Sequence, residues 1–555
     1  MAREGWRDRL AALLAARAPL PPGERRWPEG PGFGDPARGR RILAADRGAE
    51  AFWAGAAPED HGLRFLDDLA ALGDARARAV AWARVDLWLG RWGGGRGPGW
   101  TAAPAAARLG ALVGQARFLL RRREQEGERL ALAVARAARV VERRWRTLPP
   151  GPPRVLALAA LARAGAALPG LGVAQRAAAW LGAEAERAVD ARGGLPSRNP
   201  EELLDLLAAL TDASRALAEA GEPPPALPVA GRVAPVLRAL RHADGGLGRF
   251  HGGDRGAEGR LDAALAGAGR PGLAAARPAR TGLGEGAGRH APTHMGFVRM
   301  AAGRTTVIVD AAAPPAASAQ AHASTLAFEL TSGRRPLVVS CGPGRGLGPD
   351  WGRAARATAS HSTLALEGRS SARLDAGGRL SDGPAKVIAE MTPLSDGLRH
   401  ELAHDGWKGS HGLTHARTLQ LSADGRALAG EDMLIALTGA DRARLDGRIE
   451  AAEGLGVPFA LRFHLHPDVE AAEAEEGVVL RLLSGEVWVL EAAADLSVEP
   501  SAFLEGGRAR PALQVVARGR ALGYDTRVAW RLAKAQGSPE GLRDIAPAGT
   551  PQEDP

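Results

Sequence analysis

A single cysteine, Cys341, serves all 555 residues. An intramolecular disulfide is therefore impossible, and zinc sites built from several thiolates are excluded. Tyrosine is equally scarce. Tyr524 is the only one, so no tyrosine in the first half of the chain can act as a base. Lysine occurs only as Lys386, Lys408 and Lys534, and arginine carries the rest of the positive charge. Long apolar runs are missing too. The stretch 155–162 is typical, far short of the roughly 20 residues that cross a bilayer, so no membrane span is expected. There is no Gly-x-x-x-x-Gly-Lys-Ser/Thr loop and no Gly-x-Ser-x-Gly elbow, which removes P-loop NTPases and elbow hydrolases. The glycine-rich 342–348 opens no good helix and does not read as a dinucleotide loop. Basic residues are not interleaved with aromatics, so nucleic acid is not expected as a partner.

What is present is alanine, glycine and arginine in excess, a net charge of +9 and 45% hydrophobic residues. The length suggests roughly two to four domains. Coding bias accounts for much of the arginine, yet a positive protein still attracts anionic polymers. The N-terminal segment carries acidic residues and Arg17 where a signal peptide would be apolar, and it reads as an amphipathic helix. A cytoplasmic location is the expectation from that feature.

Apolar residues recur at helical spacing over 62–73, 76–92, 102–122, 128–147, 153–168, 173–190, 200–220 and 227–241, with Gly, Pro and Asp in the breaks. From about 252 to 292 the periodicity fades. Short strand patterns follow, at 296–300, 305–309, 336–340, 415–421, 459–466, 477–483, 486–490, 513–517 and 527–532. Two segments stand out: Gln320–Leu330 and Ala357–Leu366. Each places one histidine, His322 or His361, before small hydroxyl residues and then alternating apolar positions, Leu326/Phe328/Leu330 and Leu364/Leu366. A histidine at a strand mouth can titrate, donate or ligate.

Those two segments, with 292–300, 404–407, 412–417, 428–432 and 463–467, resemble signatures of the heparinase II/III family of polysaccharide lyases. The resemblance covers most of 292–532. Over the helical half it rests on Ser197-Arg198-Asn199-Pro200 and on the helix layout. It implies an α+β multidomain chain. The expected parts are an N-terminal (α/α) toroid over 1–251, a linker leading into the second domain over 252–291, a C-terminal antiparallel β-sandwich over 292–535, and a disordered tail over 536–555. It further implies cleavage of an acidic, uronate-containing polysaccharide by β-elimination. That reaction must neutralise the uronate carboxylate, remove the C5 proton and protonate the departing O4. The family's frequent export sets a periplasmic location beside the cytoplasmic one.

The resemblance assigns roles residue by residue. His322 is the expected acid/base, open to a cleft, with His361 and His242 assisting. The family pattern is His-x-His, and Gln320 stands at its first position here. His322 and His361 also match metal ligands of some members, but the acidic ligand between them falls at Ser340. No cofactor is therefore required, and zinc at His322 and His361 is the one metal expectation. Ser197, Arg198 and Asn199 form a substrate-binding candidate. Asn199, Pro200 and Glu202 also make a capping pattern, and a helix N-terminus beside an arginine suits a carboxylate. His242, Asp244 and His251 lie in one loop and are expected to line the cleft, Asp244 as a further substrate-binding candidate, although Asp-Gly-Gly is equally an ordinary turn. His464 and His466, two apart on a strand, share a face. Because the family's tyrosine, asparagine and first histidine are absent, a second expectation stands beside the lyase: a non-catalytic glycan-binding or cell-envelope protein that keeps the fold. The sequence leaves the oligomeric state open.

Overall fold

The computed structural model describes residues 5–30, 34–120, 124–269, 291–316 and 318–535. The expected tail and residues 270–290 of the expected linker lie outside them. The chain forms two compact units. One comprises Met1–Leu195, Glu202–Pro235 and Gly256–Ala279, and the other Pro196–Glu201, Val236–Arg255 and Arg280–Pro555.

The first unit is an (α/α) toroid. Its helices follow the apolar periodicity closely: Ala75–Trp92, Glu124–Arg144, Pro152–Ala167, Ala174–Ala188 and Leu227–Ala239. Local chemistry fixes several starts. Asp74 accepts the Ala77 N–H at 2.7 Å, and Pro152 sits at the first turn after Gly151, whose φ is 91°. Helix Pro152–Ala167 is buried around nearly its whole circumference. Its alanines let Ala102–Gly114 and Ala174–Ala188 pack closely on it. The expected helix 102–122 breaks at Gln115 into Ala102–Gly114 and Ala116–Leu119. Short helices Pro36–Ala44 and Ala49–Ala54 escape the periodicity, and Arg260–Ala268 lies within the stretch expected as linker.

The second unit is an antiparallel β-sandwich with two eight-stranded sheets. One runs Phe297–Ala302, Thr305–Asp310, Phe328–Ser332, Arg335–Val339, Val457–Leu465, Arg508–Ala521 and Asp495–Glu505, with Leu364–Leu366 also paired to Val457–Leu465. The other runs Val469–Ala474, Gly477–Leu482, Val487–Ala492, Asp525–Lys534, Ala427–Ile435, Leu413–Ser422, Gly397–Trp407 and Val387–Leu394. Burial alternates strictly along Leu413–Ser422 and Ala427–Ile435, so one face meets the core and the other does not. The two inner faces share one core, in which Phe328 stacks on Trp530 at 5.7 Å. Leu326 lies outside its expected strand, with φ of 65°. The strand opens at Phe328.

Candidate functional site

The strand-mouth histidines meet in the interior of the sandwich unit. His322 is 1% exposed, and His251 and His361 are fully buried. Gly252 N–H donates to His322 Nε2 at 3.0 Å, which leaves the ring proton on Nδ1. The His322 backbone N–H donates to His251 Nδ1 at 3.1 Å, so His251 carries its proton on Nε2. That Nε2 faces Asp310 Oδ2 at 3.3 Å, as an electrostatic contact and not an aligned hydrogen bond. The His322 and His361 rings lie 4.9 Å apart. Burial first, then the neighbouring His361 and His251, hold the His322 pKa well below the ordinary value. Burial and then His464 push His361 down to about 3. Both rings are neutral at physiological pH. The expected acid/base role of His322 and the assisting role of His361 are corrected here, because neutral rings sealed from solvent cannot exchange protons with a polymer.

Arg198 is corrected for a different reason. Its φ is 53°, and its guanidinium is buried. Nε donates to Met295 O at 3.0 Å, Nη1 to Ala312 O at 3.2 Å and Ala313 O at 2.8 Å, and Nη2 to Gly296 O at 2.9 Å and to Asp310. Every donor is committed, so none remains for a substrate carboxylate. Asn199 accepts the Glu201 N–H at 2.9 Å, as a helix cap does, and Ser197 sits on the turn before it. Asp310 is the centre that the sequence reading missed. Burial alone would raise its pKa, but Arg198, His251 and the Ser324 hydroxyl at 2.6 Å hold it far below the usual carboxylate range.

His242 and Asp244 lie apart from that cluster. His242 Nε2 contacts Glu329 Oε2 at 3.2 Å, and Glu329 also accepts the Arg249 and Ser340 N–H groups, each at 3.1 Å. Asp244 accepts the Gly246 N–H at 2.9 Å and pairs with Arg255 at 3.4 Å, an ordinary turn with an ion pair. Together with His466 these residues line a cavity of about 40 Å³, too small for a sugar ring. His466 is directed there, whereas His464 bonds Ser501 at 2.8 Å and Ala359 O at 2.9 Å. A third buried centre uses the motifs at 404–432. Gly406 N–H donates to His404 Nδ1 at 3.0 Å, so His404 Nε2–H donates to His415 Nδ1 at 3.2 Å and His415 Nε2–H to Asp432 at 2.7 Å. Arg417 and Trp530 complete the Asp432 shell, each at 2.9 Å.

The residues present do not fit zinc. His322 Nε2 is occupied, and Asp310 is committed to Arg198. At the expected acidic position stands Ser340, whose buried hydroxyl lacks a partner among the described residues. No group of three or more His, Cys, Asp or Glu side chains suited to a metal occurs among the described residues. Two imidazoles and a hydroxyl fall short of the four ligands a structural zinc takes.

The toroid unit holds a larger space, a groove of about 440 Å³. It exists because its walls are small: Ala103, Ala106, Ala107, Ala157 and Ala160 replace the large side chains that would fill a helix–helix seam. Charges collect along it: Arg64, Arg163 and Arg260 against Asp67, Asp205 and Asp212. Arg163 is 8% exposed, and its Nε and Nη2 find no partner among the described residues. Burial lowers its pKa. Asp67 accepts from Gln115 at 2.7 Å, yet burial outweighs that bond and raises its pKa.

Residues 285–531 match the family model described as "Heparinase II/III-like, C-terminal". FtsZ-localized protein C of Caulobacter vibrioides (strain NA1000 / CB15N) is 32% identical over 562 residues, covering 94% of this chain and 92% of the relative. A heparinase III superposes with a TM-score of 0.58 at 12% identity, covering 97% of this chain and 85% of that one. A heparan sulfate lyase HepC mutant from Pedobacter heparinus gives 0.54 at 12% identity, over 96% and 88%. At such identity the likeness to these structures is one of fold: helical toroid, then β-sandwich.

Proposed function

Because the chain belongs to the heparinase II/III-like family of polysaccharide lyases, we propose that it is a glycan-binding, cell-envelope member that keeps the lyase fold without the family's histidine chemistry. The observation that carries this reading is His322. Its Nε2 is taken by a backbone N–H, and the ring is closed to solvent. Binding is assigned to the toroid groove, where the Arg64 side chain is exposed, whereas Arg163 is buried and Arg260 pairs with Asp205. An exposed guanidinium suits a uronate carboxylate or a sulfate. The alanine walls admit the flat faces of sugar rings. The relative's name supports a site of action beside FtsZ, and we place the protein there.

A second reading, β-elimination of an acidic polysaccharide, is favoured by one observation. Asp67 lies in the same groove with its pKa raised by burial, the direction a proton-transfer carboxyl needs. One experiment separates the two. The protein is mixed with heparan sulfate, chondroitin sulfate and alginate, and binding is followed by calorimetry while ultraviolet absorbance reports the C4–C5 double bond. Binding without rising absorbance is expected. Rising absorbance that Asp67→Asn abolishes would establish the lyase reading, and absence of both signals would refute glycan recognition.

A further inference from the structure

The N-terminal helix Trp6–Ala16 turns its apolar side outward. Trp6 is 70% exposed, Leu10 47%, Leu13 40% and Leu14 41%. Positions i, i+4, i+7 and i+8 fall on one face of a helix. The opposite face is alanine: Ala11, Ala12 and Ala15 are buried, and the helix packs on Glu124–Arg144. Two features fix its rotation. Asp8 on the inner side pairs with Arg144 at 2.8 Å, and Gly95 approaches so closely that a Cβ there would sit 2.5 Å from Ala12 O. The leucines therefore cannot roll inward. Exposed large apolar residues also occur elsewhere, at Ile388, Leu437, Leu455, Leu483, Leu522 and Tyr524, whereas Trp6, Leu10, Leu13 and Leu14 share one face of a single helix.

Charge identifies the occupant. Arg7 and Arg9 are exposed and flank the apolar face on its two sides, and exposed Arg17 closes its end. The one acidic residue of the helix, Asp8, is spent on Arg144. An apolar strip with tryptophan and leucine, bordered by arginines, is the pattern of a helix lying in the plane of an anionic membrane surface. A second copy fits poorly. Eleven residues make a helix roughly 17 Å long, whose exposed strip falls well below the roughly 800 Å² per partner of a stable interface. Self-pairing would also bring arginines against arginines. No described helix is long and apolar enough to cross a membrane, so the contact is superficial. We propose that the outward face of helix Trp6–Ala16 docks this protein on an anionic lipid bilayer, with Trp6, Leu10, Leu13 and Leu14 in the headgroup–acyl boundary and Arg7, Arg9 and Arg17 on the phosphates. This inference is independent of any glycan.

The test is co-sedimentation of the full chain with phosphatidylcholine vesicles, with and without about a third of phosphatidylglycerol. The wild type should pellet with the anionic vesicles, bind pure phosphatidylcholine at least about tenfold more weakly, and be released by salt. Leu10→Asp with Leu13→Asp, both at exposed positions, should lose at least about tenfold in binding, and Arg7→Glu with Arg9→Glu a similar amount. Unchanged melting would show that the variants fold. A wild type that stays in solution with anionic vesicles would overturn the proposal. So would a leucine double variant that binds normally, or a concentration-dependent dimer that the leucine substitutions abolish.

Discussion

Acid should unfold the sandwich unit before the toroid unit. Burial pushes His361 from 6.5 down to about 3 and His400 from 6.5 down to about 4. Both folded values lie below the unfolded one, so the native state binds fewer protons. Stability is therefore complete above the unfolded pKa and is lost as pH falls through 6.5 toward the folded values. At about pH 5 the unfolded rings are charged while the native ones stay neutral, a separation of about 1.5 units below 6.5. At about 1.4 kcal/mol per unit, each ring costs about 2 kcal/mol and the pair roughly 4 kcal/mol. His322, His404, His415 and His251 shift in the same direction, with burial as the first cause in each. The toroid unit holds only His61. The assay is urea denaturation at about pH 7 and pH 5, with hydrogen exchange to locate the loss. The midpoint should fall, and protection should disappear first in strands such as Leu413–Ser422 and Val457–Leu465. An unchanged midpoint, or protection lost first from helices such as Pro152–Ala167, would refute the assignment of these rings as buried and neutral.

Arg198→Met strands the Asp310 charge in the interior and should cost about 3–5 kcal/mol, read as a lower melting temperature. Asp310→Asn should restore part of that loss in the double variant, and no rescue would mean that Arg198 acts otherwise. Arg64→Met removes an exposed guanidinium of the toroid groove. It should weaken acidic-oligosaccharide binding by about ten- to a hundredfold, the worth of a charge-assisted contact, without lowering stability. Intact binding would move the site out of the groove. Chelation by EDTA should leave the melting temperature unchanged, and one equivalent of zinc in the purified protein by elemental analysis would contradict the fit argument at His322 and His361.

Most of the architecture was legible because periodicity reports burial directly. Helices such as Ala75–Trp92 and strands such as Leu413–Ser422 carry their packing faces in the order of their residues. Among the strands without an expected strand pattern, Val387–Leu394, Val469–Ala474 and Asp495–Glu505 are largely unburied or half-buried, and the first and last contain Pro393 and Pro500, so no apolar alternation marks them; Gly397–Trp407 and Ala427–Ile435 are marked only by short family-like segments within them. Site residues were less legible, since a histidine before a strand reads alike whether its ring faces solvent or a backbone N–H. The signal that could have revealed Asp310 and Glu329 was a carboxylate set in an apolar strand, at the end of Thr305–Asp310 and between Phe328 and Leu330. Such a charge needs a buried partner. The groove in the toroid unit has no motif at all. It is made by alanines that are absent as bulk, and Arg163 is visible as unusual only once its neighbours are placed.

The motif residues that suggested chemistry have a common physical task. A sandwich that folds around turns must satisfy the backbone groups those turns bury. Arg417 donates to Leu326 O and Ser362 O, tying together the two turns that follow His322 and His361, and it reaches Asp432 with its Nε. His464 N–H donates to Ser362 Oγ at 2.9 Å, and that hydroxyl donates to Val339 O at 2.9 Å. Arg198 does the same for the carbonyls at 295, 296, 312 and 313. The histidines, arginines and hydroxyls by which the family is recognised are thus, in this chain, the polar framework of the fold. A match to them tests the framework, while chemistry depends on the residues that a substrate can touch. In the toroid groove the proposed ones are Arg64 and Asp67, positions outside every one of those motifs.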